Sequence, residues 1–271
     1  MKKQQLQETV DYLKSNGIDN PEIGIVLGTG LGQLIQEVTI EKEIPYTDIP
    51  NFPVATVEFH SGKLVYGELS GKKVLVMSGR FHFYEGYNFW EVTYGIRTMH
   101  GLGISTLLVS NAAGAINLSY KKGDLMLLDD HLNLQGGSPL AFKGANEFGN
   151  IFVDMLAPYD KDLNARMKAI AKQNDIQLHE GIYASVVGPQ LETRAEYRML
   201  QILEVDAVGM STVPEIITAN QIGLQCLAVS VLTDECDPKN LQPVDIEDII
   251  AIAGKTEPKM ITLFKELLKE L

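Results

Sequence analysis

In the stretch Gly79-Arg80-Phe81-His82-Phe83-Tyr84-Glu85-Gly86, the residues Arg80, His82 and Tyr84 alternate along the chain. In an extended segment all three would project from one side. Arginine carries a planar fork of donors matched to phosphate oxygens, and histidine can donate beside it. Tyr84 would add an aromatic wall for a sugar or a ring. A lone Arg-x-His is also what a surface arginine and a core histidine look like, so its weight comes from partners elsewhere. One partner is the glycine loop Gly28-Thr29-Gly30-Leu31-Gly32, where backbone N–H groups could approach an anion and Thr29 offers a hydroxyl. It is neither a dinucleotide fingerprint, since Gln33 stands where the third glycine belongs, nor a Walker loop, since no Gly-Lys-Ser or Gly-Lys-Thr follows. A tight strand-to-helix turn is the plain alternative. A second partner is Ser211, just before Thr212-Val213-Pro214-Glu215, which reads as a capping box with proline inside the helix. Free N–H groups at such a helix start attract anions.

Two carboxylates offer the complementary chemistry. Glu192, in Gly188-Pro189-Gln190-Leu191-Glu192-Thr193, reads as the first turn of a helix, where it would favour the helix dipole or accept hydrogen bonds from ring N–H donors. Asp234 follows the last buried strand in Thr233-Asp234-Glu235-Cys236-Asp237-Pro238, and is the acid of that loop nearest the strand end. Asp129-Asp130-His131 invites a metal reading, but no second histidine sits at a ligand spacing, so no metal site is expected.

The elements that must position these residues follow from the hydrophobic pattern. Leu6, Val10 and Leu13 predict a helix over 3–16 that stops at Gly17. Ile23 to Leu27 is a buried strand running into the glycine loop. Segments 63–69 and 72–77 alternate about a Ser70-Gly71 turn, as in a meander. Phe89, Val92, Ile96 and Met99 form one helical stripe. Thr106 to Ser110 and Leu125 to Leu128 are continuous apolar runs typical of buried strands. The first ends in Asn111-Ala112-Ala113-Gly114, small residues that leave room for a ligand or simply pack closely. Residues 135–160, rich in glycine, proline and asparagine, read as a long excursion. A helix is predicted from Lys161 to Gln173, strands at 182–187 and 205–209, a strand from Leu227 to Leu232, and two C-terminal helical segments. Strands interleaved with helices predict an α/β sheet flanked by helices, which binds ligands beyond its strand ends. With no repeat, linker or low-complexity tract, residues 1–271 read as a single domain.

Composition bounds the partners. The chain has 271 residues, 45% hydrophobic and 21% charged, with a net charge of −12. That balance fits a soluble globular protein and argues against non-specific nucleic-acid binding, which needs a basic footprint. No run approaches ~20 apolar residues, so no membrane span is expected. Two cysteines and a polar N-terminus without a leader predict reduced thiols and a cytoplasmic protein.

Taken together, Gly28-Thr29-Gly30-Leu31-Gly32, Gly79 to Gly86, Asn111-Ala112-Ala113-Gly114, Gly188-Pro189 with Glu192-Thr193, and Val208-Gly209-Met210-Ser211-Thr212 resemble the trimeric purine nucleoside phosphorylases in order and spacing. The resemblance implies reversible phosphorolysis of purine (deoxy)ribonucleosides, with phosphate as co-substrate and no metal or organic cofactor. It implies a single-domain α/β/α sandwich with a twisted mixed sheet, and a homotrimer. Phosphate would be held by Thr29, Arg80, His82, Ala112 and Ser211, and ribose by His60, Tyr84 and Met210. The base would meet Ala112, Ala113, Tyr183, Leu191, Glu192, Val208, Gly209 and Asp234, with Phe152 lent by a neighbouring subunit. His82, Glu192 and Asp234 would take the catalytic roles. Two positions depart from the pattern of the members specific for 6-oxopurines. Asp234 replaces an asparagine at the base, and Ile246 replaces a histidine at the ribose 5′-hydroxyl. A neutral Asp234 could donate to purine N7, whereas an ionised one could only accept, for instance from a 6-amino group. Inosine and guanosine are therefore expected as substrates, with adenosine use. The alternatives are a 5′-methylthioadenosine or adenosine-preferring phosphorylase, and a non-catalytic nucleoside-binding protein.

Overall fold

The buried apolar runs of the sequence form the middle of one mixed sheet. The computed structural model describes residues 1–54 and 62–271. In chain order the elements are α1 (Lys2–Ser15), β1 (Ile23–Val26), β2 (Thr39–Pro45), β3 (Lys63–Leu69), β4 (Lys72–Ser78), α2 (Phe89–Val92), α3 (Tyr94–Gly101), β5 (Thr106–Ala115), β6 (Leu125–Asn133), α4 (Lys161–Gln173), β7 (Leu178–Ser185), α5 (Arg194–Ile202), β8 (Ala207–Gly209), α6 (Val213–Gln221), β9 (Gln225–Glu235) and α7 (Ile246–Glu270). The strand order is β2-β3-β4-β1-β5-β8-β7-β6-β9, and β9 also pairs with β5. That last pairing closes β5, β8, β7, β6 and β9 into a ring, while β1, β4, β3 and β2 extend it as an open wing.

The mixed character is set by the connections. β3 and β4 form the expected hairpin, antiparallel about Ser70-Gly71. β1 lies parallel between β4 and β5, and β5 is parallel to β9. The carboxyl ends of β1, β4 and β5 therefore lie side by side, which brings the glycine loop, Arg80 and Asn111 together. Helices cover both faces. Val10, Leu13, Ile96, Met99 and Ile216 of α1, α3 and α6 pack in one core, and Leu163, Met167, Met260 and Phe264 of α4 and α7 pack in the other. Burying each such side chain contributes roughly 1.5–3 kcal/mol.

Several local features depart from the sequence reading. The edge strand β2 gave no pattern, because only Ile44 of its seven residues is buried. The helical stripe from Phe89 is split into α2 and α3 at Thr93. The C-terminal segments form one 25-residue helix, α7, which continues through Pro258. Thr193, not Glu192, caps α5, in a reciprocal box with Glu196, so Glu192 stands outside the helix as part of the approach to it.

Candidate active site

The basic end of the site begins where β4 stops. Gly79 turns the chain with φ +97°, and the Tyr46 hydroxyl donates to its carbonyl at 2.7 Å. Arg80 follows and is only 1% exposed. Its Nη1 donates to Ser211 Oγ at 3.0 Å and lies 3.4 Å from Thr212 Oγ1, and its Nη2 reaches the Val26 carbonyl at 3.5 Å. Its Nε lies 3.4 Å from Oε1 of the buried Glu215, the counter-charge that a buried guanidinium requires. His82 is oriented by Glu85, whose Oε1 is 2.8 Å from both the His82 backbone nitrogen and Nδ1. The imidazole stacks on Tyr84 with ring centroids 4.7 Å apart.

Ser211 is placed by an unusual start to α6. Thr212 has φ +69° and ψ −54°, and the Val213 N–H donates to the Ser211 carbonyl at 2.7 Å. This is a γ-turn of positive φ, strained for a β-branched residue. It is held through the side chain: Asn111 Nδ2 donates to Thr212 Oγ1 at 2.9 Å, and Ser230 Oγ donates to Asn111 Oδ1 at 2.7 Å. The expected capping box does not form, and Thr212 makes no cap hydrogen bond. Asn111 and Arg80 take the threonine oxygen, and Glu215 turns to Arg80.

The acidic end is built on a bulge. β5 and β9 pair in step as far as Ala113 and Leu232, after which Gly114 pairs with Asp234 and Thr233 is left over. An extra residue in one strand re-aims the side chains beyond it. Glycine is required opposite: a Cβ on Gly114 would lie 2.6 Å from Cys236 Sγ and 3.0 Å from Asp234 Oδ2. Asp234 Oδ1 accepts from Thr233 Oγ1 at 3.0 Å, and Oδ2 accepts from Cys236 Sγ at 3.2 Å. Burial, with the Asp234 charge beside it, pushes the Cys236 thiol far above its usual range, so it remains a donor. Burial also raises the Glu192 carboxyl, while a hydrogen bond from Tyr197 works the other way.

These pieces line one cleft of about 310 Å³ beyond the strand ends. Thr29, Arg80, His82, Tyr84, Ala112, Ala113, Leu191, Glu192, Val208, Gly209, Met210, Ser211, Asp234 and Ile246 all face it, and so does Ile249. Tyr183 does not. It is fully buried, its hydroxyl accepts from the Ser211 N–H at 3.4 Å, and burial moves it to about 12. A Cβ on Gly209 would lie 2.3 Å from that hydroxyl, so the backbone of Gly209 separates the Tyr183 ring from the cleft. Phe152 is 84% exposed and outside the cleft of its own chain. His60 lies outside the described residues. Asp130 and His131 gather no further ligand, and no cluster suited to a metal exists among the described residues. His131 instead faces the Tyr159 hydroxyl at 3.1 Å. Sequence reasoning missed Glu215 as the partner of Arg80, because its place in the first turn of a helix already explained it. It also missed Asn111, Thr233 and Cys236 as supports, since these act through contacts between distant strands.

A family model described as the phosphorylase superfamily matches residues 22–269. Purine nucleoside phosphorylase 1 of Bacillus subtilis is 41% identical over 268 residues, spanning 99% of each chain. Isoform 2 of the Schistosoma mansoni purine nucleoside phosphorylase, solved with cytosine and ribose-1-phosphate, superimposes with a TM-score of 0.94 at 40% identity, covering 99% of this chain and 96% of that one. A Schistosoma mansoni purine nucleoside phosphorylase solved with adenosine gives 0.94 at 38%, covering 99% and 97%. The chain belongs to the phosphorylase superfamily. Within it, the chain is a member of the purine nucleoside phosphorylase family of enzymes.

Proposed function

We propose that this enzyme catalyses the reversible phosphorolysis of purine (deoxy)ribonucleosides, yielding free base and (deoxy)ribose 1-phosphate in purine salvage. Inosine and guanosine are the main substrates and adenosine is also used. The observation that carries this reading is a single cleft that joins Arg80, His82, Ser211 and Thr29 with Glu192 and Asp234, Arg80 bonded to Ser211. Phosphate binds at the basic end, with the Ala112 backbone and the glycine loop beside it. Glycosidic cleavage develops cationic character on the sugar and negative charge on the leaving purine. The phosphate dianion stabilises the first and then attacks C1′, and the fixed donors around it supply orientation and electrostatic preorganisation. Tyr84 and Met210 contact the ribose, with His60 nearby. Ala113, Leu191, Val208 and Gly209 wall the base, Glu192 accepts from its N1–H, and Asp234 faces its six-membered ring edge and N7. Phosphate is a co-substrate, and the reaction invokes no cofactor.

The working form is a homotrimer in which Phe152 completes the cleft of a neighbour, a role its 84% exposure supports. One domain over 1–271 carries the whole activity. Two buried cysteines that stay free thiols support a cytoplasmic setting. A second reading, 5′-methylthioadenosine phosphorolysis, is favoured by Ile246 and Ile249, which give the cleft an apolar rim. The deciding experiment is a panel of inosine, guanosine, adenosine and methylthioadenosine, each with and without phosphate. Base release that requires phosphate, fastest with inosine and guanosine, is expected. Release independent of phosphate overturns the phosphorylase reading, and methylthioadenosine as the best substrate moves it to the second.

A further inference from the structure

Asp234 has two donors of different commitment behind it. The Thr233 hydroxyl has one proton and two acceptors in reach, the Ala113 carbonyl at 3.3 Å and Asp234 Oδ1 at 3.0 Å. It can therefore give its proton to Ala113 and accept one from Asp234. The Cys236 thiol, 1% exposed, donates to Asp234 Oδ2 at 3.2 Å. The Tyr197 hydroxyl reaches both Glu192 and the Cys236 sulfur. A phenol and a thiol thus bridge the two carboxyl groups of the cleft from behind. Gly114 packs against this group, where a Cβ would lie 2.6 Å from Cys236 Sγ and 3.0 Å from Asp234 Oδ2.

We infer that Cys236 is a positioning residue that sets base preference: by donating to Oδ2, it keeps Asp234 an acceptor toward the purine. This rests on the base-site reading of Asp234 given above. An acceptor there admits adenosine, whose 6-amino N–H donates to it, beside the inosine and guanosine that remain the main substrates. Without the thiol, Oδ2 loses its committed donor. The carboxyl group is then no longer held toward the 6-amino position, and adenosine loses more than inosine. The selectivity of the enzyme is therefore written partly in a residue that never touches substrate.

The test compares kcat/KM for adenosine and inosine in Cys236→Ala, Cys236→Ser and Asp234→Asn, with phosphate KM as the control. In Cys236→Ala the adenosine-to-inosine ratio falls about tenfold, the scale of one hydrogen bond to a charged group, and phosphate KM is unchanged. Cys236→Ser, which keeps a donor, restores the ratio to within about twofold of the parent. If Cys236→Ala fails to fold, Cys236→Val, similar in volume and without a donor, carries the same expectation. An unchanged ratio, or equal loss with both nucleosides, overturns the inference if Asp234→Asn still lowers the ratio. If Asp234→Asn also leaves the ratio unchanged, the base-site reading of Asp234 falls and this inference falls with it.

Discussion

Arg80 lines the cleft while almost wholly buried, and within its own chain it is held by Ser211, Thr212, Val26 and Glu215. A bound phosphate would exchange a neutral hydroxyl for charged oxygens at the same guanidinium, and charge-assisted bonds are roughly twice as strong. Removing Arg80 outright has a second effect, because Glu215 is 2% exposed and would be left as an uncompensated buried charge, at a cost of about 3–5 kcal/mol. Arg80→Ala is therefore expected to lower both phosphate use and Tm. Adding Glu215→Gln should restore much of the Tm and none of the phosphate use. Steady-state kinetics at saturating nucleoside and thermal melts separate the two effects; an unchanged phosphate KM in the double variant excludes Arg80 from the phosphate site. His131 gives a pH prediction. Burial lowers it to about 4 in the folded chain, whereas the unfolded chain titrates near 6.5. Between those values the unfolded state binds more protons, so stability is full above about pH 6.5 and falls as the pH drops toward 4, by at most about 3 kcal/mol from this group. Urea titrations across that window should show a shallower loss in His131→Gln. An equal slope in both proteins would remove His131 from the account.

At the scale of elements, α7 ties the glycine loop to the rim of the cleft. Pro258 lacks an N–H, so the Gly254 carbonyl loses its partner four residues on. Gln33 fills the gap, its Nε2 donating to that carbonyl at 2.6 Å, while Glu257 Oε1 accepts from the Leu34 N–H at 3.1 Å. Gln33→Ala should cost about 1 kcal/mol in the parent. In a Pro258→Ala background, where the helix supplies its own donor, the cost should shrink toward zero. A double-mutant cycle by urea unfolding measures this, and equal costs in both backgrounds would show that the glutamine acts elsewhere. The same element shows what the sequence could and could not convey. The C-terminal stretch read as two helical segments, and the donor that lets one helix run through Pro258 lies more than two hundred residues away in the chain. The alternation of Arg80 and His82 and the apolar runs of β1, β5 and β9 were legible, being set by neighbours in sequence. The γ-turn at Thr212 was not, because Asn111 and Arg80 outbid local capping. Nor were the Thr233 bulge and the closure of β9 on β5, which depend on non-local register. Tyr183 was misplaced for a similar reason: one glycine, Gly209, decides which side of the wall its ring occupies.

At the scale of the whole molecule, the described surface carries apolar side chains that a lone chain has little reason to expose. Phe152 and Leu156 are 84% and 87% exposed in the excursion, and Ile202 is 81% exposed at the end of α5. Leu191, on the approach to α5, is half exposed and lines the cleft. Burying a single large apolar side chain contributes roughly 1.5–3 kcal/mol, so a contact that covers this set is worth several such increments before the cost of association. In the proposed trimer, each copy would place its excursion against the Leu191 side of the next, covering Phe152 and closing the cleft. Two variants then fail for different reasons. Arg80→Ala/Glu215→Gln has no phosphate site but keeps Phe152, and Phe152→Ala keeps the phosphate site but lends nothing to its neighbour. Phe152→Ala alone should raise nucleoside KM by about tenfold, the effect of one buried aromatic contact, and leave phosphate KM unchanged. When the two variants are mixed, dissociated and reassembled, hybrid rings contain intact phosphate sites beside subunits that still carry Phe152. A fraction of the activity with the parent nucleoside KM should return in those rings and not in either variant alone. Sedimentation should show trimers throughout. Full activity in a species that sediments as a monomer, or no return of the low KM on mixing, would place Phe152 outside any shared site.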